Sequence, residues 1–166
     1  MGTACASSPV PPPTEVIVAA LLDAVEAGYR HFDTAAVYRT EEEVGRAVAE
    51  AVEKGLVGSR DEFFITSKVW CADLHVDSVV PALTNTLRVS MKKSPLGFAK
   101  EDIVEFDMRG TWAAMEDCFR LGLCKSIGVS NYGPAKLHQL LQHATIPPAV
   151  NQVGLFPPCR HRYPCG

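Results

Sequence analysis

The chain has 166 residues, of which 47% are hydrophobic and 21% charged, and its net charge is −3. That is enough apolar material for one buried core, and the charge balance argues against a nucleic-acid or anionic-membrane surface. No run reaches the apolar length of a bilayer span, so a soluble cytoplasmic domain is expected.

The opening stretch, MGTACASSPVPPP, has neither a basic region nor a continuous apolar core, and does not read as a signal peptide. Ala6 stands where a myristoylation pattern starting at Gly2 requires Ser or Thr. Pro11 to Pro13 stop any earlier element, and Thr14 is placed to cap a helix. From Val16 to Ala27, the residues Val16, Ala19, Ala20, Leu22 and Val25 recur at helical spacing, with Gly28 near the end. YRHFDT reads as a short strand. In YRTEEEVGRAVAEAVEKG, Thr40 and Glu43 fit a capping box. Val44, Ala47, Val48, Ala51 and Val52 make the apolar stripe of that helix, and Lys54 and Gly55 close it.

DEFFITSKVW is the second predicted strand, with TSK at its exit. A third helix is predicted from Asp77 to Leu87, with Val80, Leu83 and Leu87 on its stripe and Pro81 in its first turn. The following VSMKKSPLGFAKEDIVEFDMRG should supply another strand. Its best candidate is residues 103–106, where Glu105 argues against a buried strand, so the segment reads mostly as loop. Then come a helix from Gly110 to Leu121 with Trp112, Met115 and Phe119 inward, the strand KSIGVSN, the helix AKLHQLLQHA and the strand PAVNQVGLF. Alternation at this spacing means βαβ units, a parallel sheet and right-handed crossovers.

The cysteines at 5, 71, 118, 124, 159 and 165 show no CxxC spacing, which suits free thiols in a reducing compartment. Cys159, His161 and Cys165 are too few, and wrongly spaced, for a closed zinc site, so no metal is expected. GxGxxG, GxxxxGK[ST] and GxSxG are all absent. A dinucleotide bound here would not be held in the Rossmann manner, and an α/β-hydrolase is disfavoured.

Four strands end in polar groups: Asp33 and Thr34, Ser67 and Lys68, Ser130 and Asn131, Asn151 and Gln152. In α/β folds the carboxyl ends of parallel strands face one edge, where sites are built. Tyr38 could donate a proton near neutral pH if an ammonium stood close enough to favour its phenolate. Lys68 can supply that ammonium, and Asp33 can keep it charged and aimed, which makes a general-acid relay. The same residues also fit a structural salt bridge and an amphipathic tyrosine at a loop–helix junction.

GYRHFDTAAVYRTEEEVGRAV, FFITSKVW, SIGVSNY and PAVNQV together resemble the aldo-keto reductase superfamily, in wording most similar to plant members. The resemblance covers most of residues 1–153, which would be the reductase domain, with 154–166 a divergent tail. It implies a (β/α)₈ TIM barrel that reduces aldehydes and ketones with NADPH, without metal, as a cytoplasmic monomer. It assigns Asp33, Tyr38 and Lys68 to three places of the catalytic tetrad. By resemblance Tyr38 protonates the carbonyl oxygen, and Ser130, Asn131 and Gln152 hold the nicotinamide carboxamide. Gly2 and Thr3 resemble a remnant of the first barrel strand lining the cofactor, and Asp33 also borders it.

The chain departs from the family in the middle. The LIHWP-like run that ends the fourth strand and carries the catalytic histidine has no counterpart between NTLR and VSMKK. His31, His75, His138, His143 and His161 lie elsewhere. After NQV the pattern stops at Gly154. The expected fold is therefore an incomplete barrel, missing the fourth strand, the C-terminal strands and the segment that grips the 2′-phosphate. Turnover should be negligible or severely impaired. The alternative is a non-catalytic fragment or splice product that is unstable or associates with an intact relative through exposed strand edges.

Overall fold

Two helices and a pair of short strands enclose Phe32, which is 2% exposed. The computed structural model describes residues 1–3, 12–88 and 106–154. Two compact units divide them, Met1–Asp107 and Met108–Gly166. The helices are α1 (Thr14–Glu26), α2 (Glu41–Glu53), α3 (Val79–Arg88), α4 (Met108–Arg120) and α5 (Pro134–Leu141). The strands are β1 (His31–Asp33), β2 (Phe64–Thr66), β3 (Val129–Ser130) and β4 (Asn151–Gln152).

In the first unit α1 and α2 pack on each other and on Phe32 and Phe63. β1 pairs in parallel with β2, with Phe32 opposite Ile65 and Asp33 opposite Thr66. On its other side β1 meets residues 1–3. Gly2 bridges Asp33 in parallel, Thr3 N–H donates to the Asp33 carbonyl at 2.9 Å, and Asp33 N–H donates to Met1 O at 2.8 Å. β1 is thus flanked on both sides, and α2 makes the crossover a parallel pair requires.

Several expectations need correction here. Thr14 does not cap α1. It is the first helical residue, after Pro13, and its hydroxyl donates to Glu43 Oε1 at 3.0 Å. Val16, Ala19 and Ala20 face outward, while Val18, Leu21, Leu22 and Val25 are buried. The stretch VIVAALL is apolar on nearly every side, so periodicity alone could not choose the face. In α2 the stripe holds for Val44, Ala47, Val48 and Ala51, but Val52 is exposed. The capping box does not form, because the Thr40 side chain makes no cap bond. In α3 the fully buried residue is Val79, and Leu87 is 56% exposed.

The second unit has α4, β3, α5 and β4 around Trp112, Ile127 and Leu140. Met115 packs against this core, but Phe119 is exposed and Cys118 takes the buried place. Gly122, at φ +71°, ends α4 in a Schellman turn, with Leu123 N–H bonded to Cys118 O and Gly122 N–H to Phe119 O, both at 3.0 Å. β3 and β4 are parallel, with Val129 opposite Asn151 and Ser130 opposite Gln152. Gly128 permits this approach, since a Cβ there would lie 2.6 Å from Val150 Cγ1 and 2.8 Å from its carbonyl oxygen.

The strand candidate at 103–106 lies outside the described residues except for Phe106, which is exposed coil. Cys5, Cys159, His161 and Cys165 lie outside them too. No helix among the described residues is long and apolar enough to cross a membrane.

Candidate active site

Asp33 closes β1, and Lys68 stands two residues beyond β2. The parallel register brings these strand exits side by side. Lys68 Nζ donates to Asp33 Oδ1 at 2.6 Å and to the Thr34 carbonyl at 3.0 Å. The two side chains are 24% and 21% exposed, so the pair is more shielded than an ordinary surface bridge, which contributes about 0–1 kcal/mol. Tyr38 ends a short 3-10 turn after β1, and Lys68 Nζ sits 4.9 Å from its ring centroid. The ammonium thus lies over the aromatic face, in cation–π range. Asp33, Tyr38 and Lys68 are all brought together.

Around them is a set of hydroxyl contacts that the sequence reading did not single out. Thr3 Oγ1 donates to the Asp33 carbonyl at 3.1 Å, and Thr40 Oγ1 lies within hydrogen-bond reach of the Thr3 and Thr34 hydroxyls. The Ser67 hydroxyl donates to Glu41. The letters TEEE at a helix start fit a capping box between Thr40 and Glu43 equally well, which hid these roles. His31 bonds the Thr66 hydroxyl at 2.9 Å and meets Phe64 edge-on.

The expected cofactor residues divide between the units. Gly2 is exposed, whereas Thr3 is buried with its hydroxyl engaged as above. In the second unit Ser130 Oγ donates to Gln152 O and Asn131 Nδ2 donates to Ser130 Oγ, both at 3.0 Å. Asn131 adopts φ +58°, a left-handed turn asparagine tolerates, and its Oδ1 accepts from Gly154 N–H at 3.3 Å. Ser130, Asn131 and Gln152 are therefore gathered at one strand end. Their hydroxyl and amide groups can both donate and accept hydrogen bonds. Asn151 has a different part. Its side chain accepts from Tyr132 N–H at 3.2 Å and donates to Tyr132 O at 2.8 Å, pinning the turn after β3.

Glu116 ties α4 to the loop ahead of β4. It is 4% exposed on α4, and its Oε1 accepts the Thr145 and Ile146 amides at 2.7 and 2.9 Å. Trp112 Nε1 donates to Ile146 O at 3.1 Å beside it. Burial alone would raise the Glu116 carboxyl. The Ile146 and Thr145 amides, with Arg120, outweigh it and hold the group below its ordinary value of 4.5. A lowered folded value means the contribution is complete above about pH 4.5 and is lost as the pH falls further. Glu116→Gln should therefore destabilise this unit at neutral pH, by about 1–3 kcal/mol for weakened bonds to a charged acceptor. In urea titrations the gap between wild type and variant should narrow toward acid. A gap that stays constant from neutral pH to below the ordinary carboxylate range would refute this role.

The sequence model of the Aldo/keto reductase family matches residues 1–163. The chain belongs to that family, and its fold is that of a partial (β/α)₈ barrel, with no closed barrel among the described residues. It is similar to "Deoxymugineic acid synthase 1-A" of Triticum aestivum, 53% identical over 181 residues, covering 98% of this chain and 56% of that protein. It is also similar to "Rhazimal reductase 2" of Alstonia scholaris, 49% identical over 166 residues, covering 90% of this chain and 51% of that one. Among solved structures it resembles a Bombyx mori aldo-keto reductase crystallised with NADP. That match has TM-score 0.82 and 36% identity, and covers 93% of this chain and 53% of that one. The chain thus spans about half the length of the relatives it matches.

Proposed function

We propose that the chain carries the proton-delivery group of an NADPH-dependent carbonyl reductase. The observation that supports this best is the Lys68 ammonium, 2.6 Å from the Asp33 carboxylate and 4.9 Å from the centre of the Tyr38 ring. In this reading Tyr38 O–H gives its proton to the oxygen of a small aldehyde or ketone. The Lys68 ammonium beside the ring attracts the negative charge that develops there, and Asp33 holds Lys68 in place. We assign Ser130, Asn131 and Gln152 to the carboxamide of a nicotinamide, with Gly2, Thr3 and Asp33 lining the cofactor. NADPH, when bound, supplies the hydride. A cytoplasmic location suits this chemistry and the free thiols of Cys71, Cys118 and Cys124.

Residues 1–153 form the reductase part in this proposal, and 154–166 a divergent tail. We expect turnover to be severely impaired. The sequence offers no histidine at the fourth strand end to polarise the carbonyl, and a single such donor is worth about 10²–10³-fold in rate. The wheat match supports an internal deletion, since its 181 aligned positions exceed the chain's 166 residues by 15.

Cofactor binding is tested without turnover. Saturating NADPH should raise the thermal unfolding midpoint, because a ligand selective for the folded state adds about 2.7 kcal/mol at a hundred times its Kd. An unmoved midpoint would reject the cofactor assignment. A second reading, a non-catalytic chain that pairs with an intact relative, draws support from Val150 and Val153, 55% and 52% exposed on either side of β4. Sedimentation of a mixture of the two proteins would detect that pairing, and two independent species would dismiss it.

A further inference from the structure

Helix α2 begins without the cap its sequence offers. Thr40 holds the N-cap position, where a threonine side chain bonded to the helix contributes about 1 kcal/mol, yet no such bond is made. Thr40 is instead 2% exposed, with its Oγ1 2.8 Å from Thr3 Oγ1 and 3.2 Å from Thr34 Oγ1. The next residue, Glu41, accepts a hydrogen bond from the Ser67 hydroxyl, a charge-assisted contact. Thr34 follows Asp33 in the chain, and Ser67 precedes Lys68. The Thr34 carbonyl also accepts from Lys68 Nζ at 3.0 Å. The start of α2 therefore holds the side-chain hydroxyl of the residue next to each member of the Asp33–Lys68 pair.

We propose that Thr40 and Glu41 are positioning residues for that pair, Thr40 acting through Thr34 and Glu41 through Ser67. The proposal rests on reading Asp33, Tyr38 and Lys68 as the proton-delivery group. Lysine and its carboxylate partner lose rotamer freedom when held, and neighbouring groups that are already ordered reduce what the pair must supply itself. A foregone cap at the head of α2 is the kind of local inconsistency found where a site is built.

The test reads Lys68 directly and needs neither turnover nor cofactor. Acetylation by a succinimidyl ester is followed by peptide mass spectrometry on the folded chain, with two exposed lysines outside the pair as internal references, Lys54, which is bonded to Glu50, and Lys136. An amine bonded to a carboxylate and a carbonyl must break those contacts to attack the ester, and so reacts slowly. Thr40→Val and Glu41→Ala should each raise the Lys68 rate by about fivefold relative to the references, the order of one lost hydrogen bond. Thr40→Ser should restore the wild-type rate, and Glu42→Ala, in the same turn, should leave it unchanged. An unchanged Lys68 rate in both disruptive variants overturns the proposal, as does acceleration of all three lysines together. If Thr40→Val alone accelerates every lysine by unfolding, Glu41→Ala decides. A failed NADPH shift with a positive labelling result would reject the cofactor reading and leave the positioning role standing.

Discussion

Under the proposed function, Tyr38→Phe is expected to lower any NADPH-dependent carbonyl reduction by this chain about 10²–10⁴-fold, the usual contribution of a placed general acid. Phenylalanine keeps the ring that lies 4.9 Å from Lys68 Nζ and removes only the hydroxyl. The ring contact, the Asp33–Lys68 pair and any thermal shift by NADPH should therefore survive. That combination separates loss of chemistry from loss of fold. The measurement is a single-turnover rate with excess protein, which detects even slow reduction of an aldehyde. A wild-type rate that persists in Tyr38→Phe would remove Tyr38 from its assigned role. It would also return its contact with Lys68 to an ordinary cation–π pair of about 0.5–1 kcal/mol.

Phe32→Ala is expected to have the largest effect on stability, about 3–5 kcal/mol for a buried phenylalanine truncated to alanine. Phe32 belongs to a core cluster that joins α1, α2 and both strands of the first unit, and it meets Phe63 at 6.0 Å between ring centres. Whole domains are stable by only about 5–15 kcal/mol, so this one change removes a large share. Hydrogen exchange should lose protection across α1, α2 and β1. Because Asp33 follows Phe32 directly, Lys68 should be acetylated faster in the same variant. A loss below about 1 kcal/mol, the range of a volume-tolerant site, would mean that Phe32 is not central to this core.

Much of the site was legible because its chemistry is written in strand exits. Asp33, Lys68, Ser130 and Gln152 each follow a short apolar run, and the alternation of runs and helical stripes implies parallel strands whose ends align. Tyr38 was legible through the same logic, since its phenol calls for a neighbouring cation. Less was legible where one pattern serves two purposes. Thr40 and Glu43 satisfy the capping-box spacing, and nothing local reveals that Thr3 and Thr34 would claim Thr40, or that Glu43 would accept from Thr14. The buried face of α1 was hidden for a related reason. A helix apolar on most sides carries no angular signal, and the choice of Val18 and Leu21 over Val16 and Ala20 was made by what packed against it.

By itself, the sequence determined the order of strands and helices, the parallel pairing and which side chains, Asp33, Tyr38 and Lys68, stand at the neighbouring strand exits. These depend on side-chain type and spacing, which are local. The tertiary structure alone decided that Lys68 meets the face of Tyr38, that α2 gives up its cap to Thr3 and Thr34, and that Glu116 reaches 29 and 30 residues along the chain to the amides ahead of β4. Those outcomes are competitions between partners far apart in sequence. A hydroxyl or carboxylate has a fixed number of bonds to make, and only the folded chain shows which partners stand within reach.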